Sequence, residues 1–542
     1  MATRKEILTG VGAAIGVLLL GFAVIFVLVV YQQRDLIRKR QADRMTTADS
    51  RVAELRRRRQ AERNRATRRT QPAVDVEDAE PTFAQPQNDA PVYIPRAPIR
   101  EEDPRPIRVG ILHALSGPLS LRETALKDVA LLTIDQLNRH GGVLGRTLEP
   151  VVMPTYSSWS DFADKAATLV EHEKVAVTFG CWASTARRAV LNVFERNQAL
   201  LFYPRYYEGE ESSASVFYTG GTPNQRAVPA ARYLLSPEGG DFRRFILIGT
   251  DEVFARTNNR IVRYLLRQQG VLASDILELY APQDITDFSA LVEHMRFFVS
   301  RGPAAVLSSL EGDSNLFFYT ELSRQKLSPA QLPVVALAVD ENLIADLGHD
   351  AFVGQLIASN YVMSHPSLEN DRFLTALRRW QALALANDEV KPEDAERSEP
   401  RPVPLLVADE TMVATHESVR LWAQAVEQAG TTSTLAVRQA LAGQYLAAPS
   451  GVVEEMDRRD HHLHKAVFIS RVSFDGTLQV LYESKTALDP EPFSRLVPET
   501  ARKVADWTYP FMCENCTEPR FPDVGGEIAG VPAVDNLWPL TR

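Results

Sequence analysis

The sequence predicts an α/β protein made of two doubly wound lobes that follow an N-terminal transmembrane helix. From residue 107 to about residue 492, short apolar runs alternate with amphipathic segments, which is the pattern of repeated βα units. The apolar runs end at Gly, Ser, Asp or Glu, as buried strands of a parallel sheet do at their carboxyl ends. This alternation extends over more chain than one hydrophobic core holds, so two lobes are expected.

Composition and charge indicate a globular protein and argue against two other classes, nucleic-acid-binding and disulfide-rich proteins. The chain has 542 residues, of which 45% are hydrophobic and 24% charged, and both values are typical of globular proteins. Its formal net charge is −9, with arginine concentrated in the first seventy residues, so nothing favours a nucleic-acid-binding domain. Three cysteines in a chain of this length exclude a disulfide scaffold.

Residues 1–33 form the predicted transmembrane anchor. Residues 7–31 carry no charge, and a bilayer span needs about 20 such residues. The segment is longer than the apolar part of a cleavable signal and no cysteine follows it directly, so an uncleaved anchor is expected. Orientation is contested, because the arginines at 34, 38 and 40 favour a cytoplasmic body, whereas long domains translocate largely regardless of charge.

Three further segments lie outside the predicted lobes. Residues 34–70 contain four consecutive arginines at 56–59 and form a candidate charged juxtamembrane helix, expected to touch anionic lipid, with nucleic-acid binding as the alternative. Residues 71–106 are rich in Pro, Asp and Glu and predict an extended linker. Residues 493–542 form a tail in which Cys513 and Cys516 are a candidate local disulfide or half of a zinc motif.

The βα units are expected in two sets. Residues 107–228 with 362–448 form the predicted first lobe, and residues 229–361 with 449–492 form the second. In the first lobe, strands are expected at 109–112, 148–153, 175–179 and 199–202, with helices at 123–139, 161–171 and 409–429. In the second lobe, strands are expected at 244–248, 304–310 and 334–339, with helices at 228–235, 258–269 and 316–325. The sequence also predicts a β-hairpin at 466–482 that turns at Asp475-Gly476.

Polar and aromatic residues follow several of these strands. Gly180 allows a tight turn after strand 175–179, Trp182 lies in that turn, and Ser184 or Thr185 can cap the helix that follows. Tyr203 and Pro204 follow the next strand in the same way.

In the other lobe, the residues at strand ends are Asp251, Glu252, Asp313 and Asp340. Because ligands of open α/β sheets bind at the carboxyl ends of strands, two such sets facing one another predict a two-lobed clamp.

Several of these stretches carry a family resemblance. They are Gly180-Cys-Trp-Ala-Ser184, Tyr203-Pro204, Tyr207-Glu-Gly209, Tyr218-Thr-Gly, Pro223-Asn-Gln225, Gly249-Thr-Asp251 and Gly312-Asp-Ser-Asn315. Together they resemble the urea and short-chain-amide branch of the type I solute-binding proteins. That branch includes the binding protein of urea ABC transporters and the amide sensor of amidase operons.

The resemblance implies a periplasmic body that binds urea, a short-chain amide or a related small polar solute and passes it to ABC permease subunits. It implies no catalysis, cofactor or metal, and no nucleic-acid partner. The implied ligand-binding residues are Trp182, Ala183, Ser184, Thr185, Tyr203, Pro204, Arg205, Glu252, Asp340 and His416.

The chain also departs from that family pattern. Glu252 and His416 stand where tyrosine is usual, and Arg205 where a small or apolar residue is usual. An unpaired buried charge is costly, so three alternatives follow. Arg205 and Glu252 pair with one another, or the solute is larger and zwitterionic, or the site is degenerate and the clamp is a sensing or interaction receptor.

Other reactive residues predict no enzyme. Cys181 has no His or Asp linked to it by a motif, which excludes a recognisable nucleophile arrangement. The histidines at 461, 462 and 464 could suggest a metal, but a metal site needs three or four placed ligands, and the family has a His pair here without metal. We therefore expect a binding protein.

Overall fold

The computed structural model describes residues 105–117, 119–156, 158–387 and 407–497. Two mainly parallel β-sheets with helices packed around them form this part of the chain. The α/β class expected from the βα alternation is confirmed.

The elements follow one another in the expected alternation. The strands are β1 Ile107–Ser116, β2 Leu148–Tyr156, β3 Thr178–Gly180, β4 Leu201–Tyr203, β5 Val216–Tyr218, β6 Phe245–Thr250, β7 Ile276–Ala281, β8 Ala305–Ser309, β9 Val334–Ala336, β10 Leu356–Ser359, β11 Tyr445–Ala447, β12 Val453–Glu455, β13 Phe468–Val472 and β14 Leu478–Glu483. The helices are α1 Ser120–Arg139, α2 Trp159–Ala167, α3 Ser184–Arg196, α4 Ala227–Leu235, α5 Val253–Gln268, α6 Ser289–Val299, α7 Ser314–Arg324, α8 Glu341–Leu347, α9 Leu368–Asn387, α10 Glu410–Ala429 and α11 Thr434–Leu441.

The first lobe is built on a five-stranded parallel sheet of order β2-β1-β3-β4-β5. One face packs against α1, α10 and α11, where Trp422 is fully buried against Phe179. The other face packs against α2 and α3 through residues such as Phe162 and Phe194. Both faces are apolar because parallel sheets are covered by helices on both sides.

The second lobe is built on a seven-stranded sheet of order β14-β13-β10-β9-β8-β6-β7. β13 pairs antiparallel with β10 and β14, and the other pairs are parallel. The β13–β14 hairpin turns at Asp475 and Gly476, as the sequence indicates, and Gly476 has a φ of 85° that favours glycine.

The chain crosses between the lobes three times, after β5, after β10 and before β13. The Asn360 side chain joins these crossings. Its Nδ2 donates to the carbonyl of Gln225 at 3.0 Å and to that of Ala466 at 2.7 Å. Asn360 is 2% exposed, so these hydrogen bonds are shielded from water. One residue therefore holds the three crossings together at the hinge.

The return to the second lobe occurs later in the chain than the sequence suggested. The expected boundary was residue 449, but the β11–β12 pair lies against the first lobe, and Met456 and Leu463 are part of its core. The chain joins the second sheet only at β13. The reason is that β12 is held by its pairing with β11, a contact that no local sequence pattern indicates.

The predicted anchor at 1–33, the juxtamembrane helix at 34–70, almost all of the linker at 71–106 and most of the tail, with Cys513 and Cys516, lie outside the described residues. Among the described helices, none combines the length and apolar character that a membrane span requires.

Candidate functional site

The bend between β3 and α3 lies at the carboxyl end of the first sheet. Gly180 packs directly on β1, since a Cβ there would meet the Leu112 carbonyl oxygen at 2.2 Å. Cys181 then takes a left-handed φ of 69°, and its amide donates to that same carbonyl. This backbone places the Trp182 ring, which is 5% exposed, in an apolar cluster with residues of α1, α9 and α10, and it starts α3 at Ser184. Thr185, on the first turn of α3, is exposed.

Ser184 does not act as a helix cap. The cap residue is Ala183, and no side chain caps this helix. The Ser184 hydroxyl instead donates to Glu208 at 2.8 Å and accepts from the Arg187 guanidinium at 3.1 Å. The protein's own groups therefore occupy the hydroxyl that the sequence offered to a solute.

Arg187 is the centre of a buried network beneath the bend. Its side chain is fully buried and pairs with Glu208 at 3.0 Å and Glu211 at 2.9 Å. The guanidinium also lies 4.7 Å from the ring centre of Tyr203 and 4.4 Å from that of Tyr207. Burial alone would lower the pKa of Arg187, but the two carboxylates raise it, so it stays charged. This network fixes Tyr203, whose hydroxyl donates to the Trp182 carbonyl at 2.8 Å.

Arg205 extends from the end of β4, after the buried Pro204, toward the second lobe. Its guanidinium lies between two aromatic rings, 3.9 Å from the ring centre of Trp182 and 4.4 Å from that of Tyr206. Its Nη2 donates to the Oε1 of Glu311 in the second lobe at 2.7 Å. Burial would lower the pKa of Arg205, whereas Tyr206 and Glu311 raise it, so the guanidinium is a fixed positive charge.

Glu252 and Glu311 leave the second sheet side by side, after β6 and β8. The Glu252 carboxyl lies against that of Glu311, and its Oε1 is buried without another hydrogen-bond partner. Burial and the neighbouring Glu311 raise the pKa of Glu252 well above its ordinary value, although Arg205 opposes the shift. Two carboxyl groups thus face one guanidinium, which differs from the direct Arg205–Glu252 pair that was one of the three alternatives left by the sequence.

Asp340 lies at the edge of the same contact. It caps α8 by accepting from the Leu343 amide at 2.7 Å, and Arg122 of α1 lies 3.8 Å away across the lobes. The Arg122 guanidinium is also 5.9 Å from the Trp182 ring centre. Asp340 therefore belongs to the interface between the lobes, but its carboxylate already has partners.

His416 lies in a different place from the one expected. It is buried between α1, α9 and α10, where its Nδ1 is 2.9 Å from the Thr133 hydroxyl and its ring is 5.1 Å from that of Phe373. Burial lowers the pKa of His416 to about 3, so the ring is neutral. The residue fills a helix interface because α10 presents it to α1 and α9, and we assign it no contact with a solute.

The structure thus brings Arg205, Glu252 and Asp340 to the junction of the two lobes, with Trp182 beside Arg205, whereas Ser184 and Tyr203 are engaged within the first lobe. It adds Glu311, Tyr206 and Arg187, which the sequence did not single out as ligands. The sequence could have indicated Glu311 as a site residue, because this acid follows the end of an apolar strand, as Glu252 does. Tyr206 had none, because it contacts Phe254 and Ala338 only through the folded interface.

Comparison with known proteins identifies the class of this fold. The family described as periplasmic binding protein domain matches residues 107–499. A solute-binding protein of an ABC transporter from Rhodopseudomonas palustris HaA2, solved with p-hydroxybenzoic acid, is 20% identical with a TM-score of 0.59, covering 70% of this chain and 97% of its own. A substrate-binding protein from Sphaerobacter thermophilus is 18% identical with a TM-score of 0.59, covering 71% and 100%. A branched-chain amino acid transporter protein from Streptococcus pneumoniae, solved with isoleucine, is 17% identical with a TM-score of 0.55, covering 71% and 100%.

Proposed function

Because the chain belongs to the periplasmic binding protein domain family, we propose that it is the solute-binding protein of an ABC transporter and holds a small polar solute between its two lobes. Proteins of this family bind ligands and do not transform them, so the chain is not an enzyme. ABC permease subunits are the proposed partners, and the uncharged segment 7–31 is the proposed membrane anchor of an extracytoplasmic body.

The observation that carries the proposal is the contact between Arg205 and Glu311. It joins the carboxyl ends of β4 and β8, one in each lobe, where ligands of open α/β sheets bind. Trp182 and Tyr206 flank the Arg205 guanidinium, and a small planar solute can stack on these rings where it displaces that group. The hinge through Asn360 lets the lobes separate there as rigid bodies.

Three solute classes enter the proposal. The sequence resemblance favours urea or a short-chain amide, and similar structures were solved with 4-hydroxybenzoate and with isoleucine. The charged groups at the lobe junction favour a solute that carries charge. A neutral amide would bring no second cation to the two carboxyl groups, Glu252 and Glu311, that share Arg205.

Isothermal titration of the purified full-length protein tests this function. The panel contains urea, acetamide, isoleucine and 4-hydroxybenzoate, and at least one compound is expected to bind. Trp182→Ala should weaken that binding about tenfold or more, because it removes a wall of the site. Trp159→Ala is the matched control, since Trp159 is 64% exposed on α2 of the same lobe. Thermal unfolding shows that each variant is folded.

A ligand-sensing receptor is the second candidate. It is favoured because the Ser184 hydroxyl and the Trp182 ring are already engaged by Glu208 and Arg205. In that role the clamp would signal to a partner without delivering solute. Uptake of a bound solute into cells that carry the gene, compared with cells that lack it, separates the two functions. Unchanged uptake together with measurable binding would favour the receptor.

A further inference from the structure

Around Arg205, at the junction between the lobes, two carboxyl groups share one guanidinium. Arg205 pairs with Glu311, and Glu252 adds a second carboxyl group beside that pair. The charges facing Glu252 are Glu311, Arg205 and Glu208, and Arg187 already neutralises Glu208 inside the first lobe. The Arg205 guanidinium is therefore shared between Glu311 and Glu252.

The Glu252 carboxyl also has an unused acceptor. Its Oε1 is buried and accepts no hydrogen bond within the described residues. A buried acceptor without a donor costs about 1–3 kcal/mol, so such a group is a site where a donor from outside the chain is stabilising. Glu311 keeps 30% of its side chain exposed, so the acid pair is reachable from solvent.

We infer that the cleft selects solutes with a protonated nitrogen, such as an amidinium, guanidinium or primary ammonium group, and that Glu252 with Glu311 binds this nitrogen. This inference rests on the proposed function and names the charge of its solute. Arg205 stays paired with Glu311, while the cation of the solute pairs with Glu252.

Binding of the solute cation then releases one proton from the pair of carboxyl groups. Two like charges in contact cannot both ionise cheaply, so the pKa of Glu252 lies well above its ordinary value and the carboxyl keeps its proton to a higher pH. The cation replaces this proton, which passes to the buffer, and the total charge of the cleft stays the same. Cation affinity should therefore rise with pH, by up to about tenfold per pH unit while Glu252 is protonated.

Pairs of solutes that share a shape but differ in charge test the inference. The full-length protein is titrated with guanidinium against urea and with acetamidinium against acetamide, in phosphate buffer at about pH 6, 7 and 8. We expect each cation to bind at least about tenfold more tightly than its neutral partner, as a charge-assisted hydrogen bond allows. The preference should grow with pH, and isoleucine and 4-hydroxybenzoate complete the panel.

Substitutions test whether Glu252 is the group that binds the cation. Glu252→Gln should weaken cation binding by about tenfold to a hundredfold and abolish its pH dependence. Glu293→Gln, at an exposed position on α6, is the matched control and should change neither. If a neutral amide or 4-hydroxybenzoate binds as tightly as the cations, the inference is overturned while the proposed function stands. If no compound binds, both are rejected.

Discussion

Arg205 of the first lobe donates a 2.7 Å hydrogen bond to Glu311 of the second lobe, and Glu252 lies against the same carboxylate. This contact links the ends of two strands that the chain places in separate sheets. The ion pair therefore stabilises the contact between the lobes and also forms the charged part of the proposed site.

Arg205→Met should separate these two roles. Loss of the guanidinium removes a charge-assisted hydrogen bond, so we expect thermal unfolding to show a loss of about 1–3 kcal/mol. Affinity for a cationic solute should hold or rise, because both carboxyl groups remain to bind it. Arg196→Met is the control, since Arg196 forms an exposed pair with Glu171 and such pairs contribute about 1 kcal/mol or less. Cation binding lost in Arg205→Met would contradict the assignment of Glu252 as the binding group.

Stability should fall as pH rises. Burial raises the pKa of Asp409 to about 7 and that of Glu341 to about 8. The folded protein thus keeps protons that the unfolded chain releases at its ordinary carboxyl pKa, and stability is lost as pH rises through the folded values. Each group contributes at most about 1.4 kcal/mol per pH unit.

The melting temperature measured from about pH 5 to about pH 9 checks this dependence. Asp409→Asn should flatten the curve, and asparagine keeps the ability to cap α10. A melting temperature that rises across this interval would show that these acids are ionised in the folded protein.

Asn360 should couple stability to ligand affinity. Asn360→Ala removes both of its hydrogen bonds to the hinge carbonyls, with an expected loss of about 1–3 kcal/mol. Because the three crossings then move independently, solute affinity should change as well. Asn138→Ala is the control, because Asn138 donates to the Leu148 carbonyl within the first lobe alone. Equal effects of the two variants on affinity would argue against a special role for the hinge asparagine.

Lys465 should be essential for stability. Its ammonium lies 2.6 Å from Glu417 and 2.7 Å from Glu454, and all three side chains are buried. Lys465→Met leaves two carboxylates without a cation, which is expected to cost about 3–5 kcal/mol. Thermal unfolding is the suitable measurement, because urea and guanidinium are candidate ligands. Adding Glu417→Gln and Glu454→Gln should recover part of the loss, and a full loss in the triple variant would contradict this explanation.

The fold was largely predictable because it follows from local patterns. The apolar run that ends at Gly180 and the Asp475-Gly476 turn each specify their own backbone. The site was predictable only in part, because its contacts join distant residues. Ser184 was expected to contact a solute, with a helix cap as the alternative, but its hydroxyl donates to Glu208, twenty-four positions away. The sequence left three alternatives for Arg205 and Glu252, and it could not show that Glu311 joins them, because the β6–β8 pairing brings together residues far apart in the chain. His416 was placed by family position, whereas the packing of α1 and α9 decides its surroundings.

The fluorescence of Trp182 tests most directly whether a solute binds at the junction of the lobes. The indole contacts Arg205 at 3.9 Å, so a solute bound there should alter its emission. We predict a saturable change in emission that follows the calorimetric isotherm, persists in Trp159→Phe and disappears in Trp182→Phe. A solute that binds by calorimetry while the Trp182 emission stays constant would place the binding site elsewhere and contradict the central claim.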